Sequence, residues 1–183
     1  MQPLLVLPVV AFFALLALFM MVLRRAGRFV ASTRDTERFR RQVGDLAERA
    51  ETSLAEISGR VDALRRGQLG ADQIGDDLTA SLDAVTRYAT EARALRPPTE
   101  AVAIQADIVA NLERSARALE MIEHGRAIQA SARSGGREIE AQTAIKRGYL
   151  NVLHAREAIA HQAKVVSAMT AAEAARRFQR RNA

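Results

Sequence analysis

The chain has 183 residues, no cysteine and a formal net charge of +6. That is room for one ordinary domain and an appendage, and it excludes a disulfide framework, a thiol nucleophile and any cysteine metal site. The charge is concentrated: residues 24–41 balance to +5, residues 176–183 to +4 and residues 42–175 to −3, so the body of the chain lacks the basic footprint of a duplex-binding surface.

The first element is apolar. From Pro3 to Leu23 the run PLLVLPVVAFFALLALFMMVL holds 21 residues without a charge, about 31 Å as a helix and close to the thickness of a hydrocarbon core. No basic residue precedes the run and no pair of small residues closes it, so a retained transmembrane anchor is expected rather than a cleaved leader. Arg24, Arg25, Arg28, Arg34, Arg38, Arg40 and Arg41 all follow the run. Positive charge stays on the cytoplasmic side. The expected location is therefore a bacterial cell membrane, with the N-terminus outside and the rest of the chain in the cytoplasm.

Residues 24–31 read as a basic juxtamembrane hinge around Gly27, followed by a four-helix domain over 32–181. The first of its helices spans about 33–66, capped by Ser32 or Thr33. Its stripe is Phe39, Val43, Leu46, Ala50, Leu54, Ile57, Val61 and Leu64, spaced by three or four residues as a helix face requires. Gly67 and Gly70 end it. A second helix, 72–95, presents Ile74, Leu78, Leu82, Val85, Ala89, Ala92 and Leu95 and stops at Pro97-Pro98, since proline disfavours helix in the residue before it. The third, 99–133, presents Ile104, Ile108, Leu112, Leu119 and Ile122 and ends at Ser134-Gly135-Gly136. The fourth, 137–180, presents Ile145, Tyr149, Val152, Ile159, Ala163 and Val166.

No stretch alternates with the period of a strand. The expected fold is all-α: one transmembrane helix, then an antiparallel up-down four-helix bundle or long helical hairpins, coiled-coil-like in its spacing. The stripes carry about 25 apolar side chains, worth tens of kcal/mol gross at roughly 1.5–3 kcal/mol each. A fourth helix running unbroken to Arg181 would return the second basic cluster to the lipid surface. Arg24, Arg25, Arg28, Arg176, Arg177, Arg180 and Arg181 are accordingly the expected membrane-surface contacts, each arginine gaining on the order of 1 kcal/mol beside anionic lipid.

Chemistry is sparse. His154, Glu157 and His161 share a helix face, but the spacings Glu120-x-x-x-His124 and Glu157-x-x-x-His161 are one residue longer than the Glu-x-x-His of bundle di-iron sites. Surface i, i+4 pairs account for them. No phosphate loop or nucleophile elbow occurs, and with eight aromatic residues and no tryptophan there is no stacking platform for single strands. Arg126 and Arg156 interrupt apolar stripes, and each reads as a side chain snorkelling from the flank. No catalytic, metal or cofactor-binding residue is expected. The reading is a membrane-anchored scaffold or adaptor that meets the bilayer and a protein partner, or itself, through helices. Its alternative is a helical-bundle enzyme or ligand-binding domain with a dispersed site; a membrane-tethered nucleic-acid binder is a third reading, disfavoured by the acidic body.

Overall fold

A computed structural model describes the backbone of residues 6–131 and 137–169, and within these the side chains of residues 16, 18–21 and from 34 onward. Among the described residues the chain is all-helical, with no strand. The four helices are α1 (Val6–Arg65), α2 (Gly75–Ala94), α3 (Val102–Ser131) and α4 (Glu138–Ala168), with short 3-10 turns at Ala71–Gln73 and Thr99–Ala101. Each helix packs on the next and α4 closes on α1, an up-down-up-down ring.

The core follows from the spacing. All eight stripe residues of α1, from Phe39 to Leu64, are buried, and Thr36 extends the series. Successive members are three or four residues apart, the pattern of helices that cross at a shallow angle. Ile74, Leu78, Val85, Ala89 and Ala92 of the second segment are buried, as are Ile108, Leu112, Leu119 and Ile122 of α3 and Ile145, Val152, Ile159 and Val166 of α4. Leu82, Leu95, Ile104, Tyr149 and Ala163 pack against this core half-buried.

Turn chemistry sets the ends. Gly67 takes φ +69°, its N–H donates to Leu64 O at 3.0 Å and the Gln68 N–H donates to Ala63 O at 2.9 Å. These are the two reversed bonds of a Schellman ending, where only glycine escapes the Cβ penalty. Asp76 and Asp77 occupy the first turn of α2, where the helix dipole favours anions. Leu95, ahead of the two prolines, is already extended.

Three boundaries differ from expectation. The backbone runs helical through residues 24–33, so there is no hinge at Gly27 and no helix start at Ser32 or Thr33. A mid-helix glycine costs only about 1 kcal/mol, and Arg24, Arg25, Ala26 and Arg28 beside it are good helix formers. The second helix starts at Gly75, because Ala71–Gln73 forms a separate 3-10 turn. The fourth helix ends at Ala168, with Met169 extended and its N–H donating to Val166 O at 3.1 Å. Val166 is the last buried side chain of α4, and Met169, just past the helix end, still packs half-buried on the core. The expected return of the basic cluster Arg176–Arg181 to the lipid surface falls on residues 170–183, which lie outside the described residues.

Phe39, buried, lies near the base of the bundle, so α1 from Val6 to Asp35 extends about 45 Å beyond it at 1.5 Å per residue. The expected anchor, 3–23, falls mostly outside the residues with described side chains, and among the described residues no helix is long and apolar enough to cross a membrane.

Candidate functional site

The closest seam in the bundle is between α3 and α4, and it is built from absent side chains. Ser115, Ala118, Gly125, Ala141, Gly148 and Ala155 are all buried. A Cβ at Gly148 would fall 2.5 Å from Ile122 Cγ1 and 2.7 Å from Ala118 O; one at Gly125 would fall 2.8 Å from both Ala141 O and Ile145 Cγ1. The backbones therefore meet where neither chain has a side chain to hold them apart. Glycine adds nothing to an apolar stripe, so spacing alone did not reveal this seam. Small residues recurring on one face of each helix were the available signal.

Arg126 does not snorkel. Its guanidinium chelates Glu123, with Nε donating to Oε2 at 2.7 Å and Nη2 to Oε1 at 2.5 Å, while Nη1 donates to Ala71 O at 3.1 Å. The hydrogen bond to Glu123 raises its pKa, desolvation opposes this, and the charges of Glu123, Asp72 and Asp76 add to the rise. Arg126 is a strap between α3 and the α1–α2 turn. Arg156 fits the flank reading better: it is half-buried.

Gln105, which the stripe analysis passed over, closes the other end of α2. Its Nε2 donates to Ala92 O and Leu95 O, each at 2.8 Å, satisfying carbonyls that a helix end leaves open. Gln105 also borders an open depression between α2 and α3 with Arg93, Val109 and Glu113. Arg93 and Glu113 pair across it. The depression therefore presents a surface ion pair and a helix cap, with no convergent polar set for chemistry.

On the α1–α2 side, Arg49 lies 5.3 Å from the centroid of the Tyr88 ring and donates to Glu91 at 2.6 Å. The Glu91 hydrogen bond raises the arginine pKa, desolvation opposes it, and the charges of Glu91, Tyr88 and Asp45 add to the rise. Arg60 pairs with Asp77 at 2.5 Å. Such exposed pairs contribute roughly 0–1 kcal/mol each and serve mainly to set the register of the two helices.

The expected contact residues are distributed as follows. Arg24, Arg25 and Arg28 sit on the helical extension of α1, with side chains outside the described set, and Arg176, Arg177, Arg180 and Arg181 lie outside the described residues altogether. His124, His154 and His161 are exposed, and among the described residues no group of His, Asp and Glu is placed to hold a metal. No protein-family model, no curated protein and no solved structure matches the chain.

Proposed function

We propose that this protein is a single-pass, membrane-anchored helical scaffold or adaptor. In this reading the apolar run 3–23 crosses the bilayer with the N-terminus outside, and the four-helix bundle stands in the cytoplasm as a surface for protein contacts. One observation carries the anchor. Leu16, Leu18, Phe19, Met20 and Met21 are 47–63% exposed, and at 100° per residue they point to every side of α1. A helix that is apolar all round needs an apolar medium all round. A partner groove would cover only one side of it, whereas hydrocarbon covers every side.

The scaffold half of the reading rests on the bundle. Its core is continuous and apolar, and the polar side chains that border it at the turns and seams are engaged in capping, strapping and surface ion pairs. The seven arginines at the two chain ends then belong beside the anionic leaflet. From Met169 to Arg176 an extended chain reaches about 23 Å at most, enough to bring the second cluster toward the lipid side of the bundle base.

Fractionation tests the anchor. The full chain should remain with membranes through alkaline carbonate and high salt, and deletion of residues 3–23 should release it. A full chain extracted by carbonate would overturn the reading.

A further inference from the structure

The bundle carries a second, outward-facing pair of stripes on α1 and α4. On α4, Ile139, Lys146, Leu150, Leu153, Glu157 and Lys164 recur at steps of three, four or seven, away from the core positions and on the side toward α1. Ile139 is 77% exposed and Leu150 43%. Lys146 and Lys164 are the only two lysines of the chain, and neither forms an ion pair among the described residues.

On α1 the corresponding stripe is Gly44, Glu48, Glu51, Ala55 and Gly59, on the side toward α4. A Cβ at Gly44 or Gly59 would meet nothing within 4 Å. Each glycine costs the helix roughly 1 kcal/mol relative to alanine, and within one bundle nothing offsets that cost. Glu48 and Glu51 are exposed and their carboxylates form no ion pair among the described residues. One stripe is thus large and basic, the other small and acidic, and they lie side by side on one face.

We propose that this face pairs with the same face of a second copy of the chain, α1 of each against α4 of the other. A two-fold axis along the bundle brings these helices together and preserves height. The Arg65 guanidinium lies 4.6 Å from the centroid of the Tyr149 ring, which fixes the relative height of α1 and α4. Leu150 of one copy then comes within about a turn and a half of the bare helix surface at Gly59 of the other. By the same register Lys164 comes near Glu48 and Glu51. The stretch in which the two stripes meet, about 25 Å by 20 Å, offers about 500 Å² per copy and about 1,000 Å² in all, the lower bound of a specific interface. The same axis points both N-termini one way, as two chains in one bilayer require; this parallel sense rests on the anchor reading, and the pairing does not.

Charge reversal tests the pairing in the full chain in detergent. Glu48→Lys with Glu51→Lys, or Lys164→Glu alone, should each weaken self-association by about tenfold or more while leaving helicity unchanged. An equimolar mixture of the two variants should recover the dimer, because each α1 then meets an α4 of opposite charge. Failure of the mixture to recover, or dimerisation of each variant as strong as the parent's, overturns the proposal. To separate it from pairing held by the apolar segments alone, chains carrying Thr52→Cys and chains carrying Glu157→Cys are mixed in membranes with a bis-maleimide. A crosslink between the two supports the face; links only between like chains, or none, refute it. Carbonate fractionation reads the anchor independently of either result.

Discussion

Replacing Gly148 with alanine sets two effects of known sign against each other. Alanine is the better helix former by about 1 kcal/mol, so on an uncrowded helix the substitution stabilises. In the α3–α4 seam the new methyl would sit 2.7 Å from the Ala118 carbonyl oxygen and 2.5 Å from Ile122 Cγ1. The isoleucine can rotate away, but the carbonyl belongs to the α3 backbone and moves only if the helices separate. Overpacking of this kind costs roughly 1–3 kcal/mol, so the net change is a loss of up to about 2 kcal/mol, or several degrees of Tm for a chain of this size. Gly59→Ala is the control. Its Cβ meets nothing within 4 Å, so at concentrations where the chain is monomeric it should gain about 0.5–1 kcal/mol. Thermal unfolding of both variants, followed by circular dichroism, should give shifts of opposite sign. A stabilising Gly148→Ala, equal to Gly59→Ala, would refute the close approach of α3 and α4.

Leu112 is fully buried, so Leu112→Asp places an unpaired charge in a dry core and should cost roughly 4 kcal/mol or more, abolishing the cooperative melt. Arg126→Gln removes the Glu123 chelate and the bond to Ala71 O and should cost about 1–3 kcal/mol in urea unfolding. Arg126→Lys should recover little of it, because an ammonium cannot reproduce the fork. Changing Arg176, Arg177, Arg180 and Arg181 to glutamine should leave the protein in the membrane but reduce the anionic phospholipid that co-purifies with it at low salt; unchanged lipid content would remove the second basic cluster from the account.

Much of the bundle was legible because apolar spacing and turn residues agree. The α1 stripe from Phe39 to Leu64 is buried throughout, Gly67 adopts the left-handed turn its position implied, and Pro97-Pro98 closes α2. What was misread follows from physics that spacing does not carry. Gly27 reads as a breaker, yet one glycine among arginine and alanine is too small a penalty to interrupt a helix. The fourth helix reads as unbroken to about residue 180, yet it ends at Ala168, with Met169 already extended. Arg126 resembled any stem on a flank until the α1–α2 turn supplied its carbonyl partner, and that contact spans 55 residues. The glycine seam left no trace in a search for large apolar groups. Of the arginines expected at the lipid surface, the described side chains include none.

The central claim, one span with the bundle in the cytoplasm, is tested most directly by topology reporters. A reporter active only in the cytoplasm, fused after Ala183, should be active, and one active only outside should be silent at the same position. The opposite pattern would contradict the account, placing the bundle across the bilayer from where its flanking arginines put it.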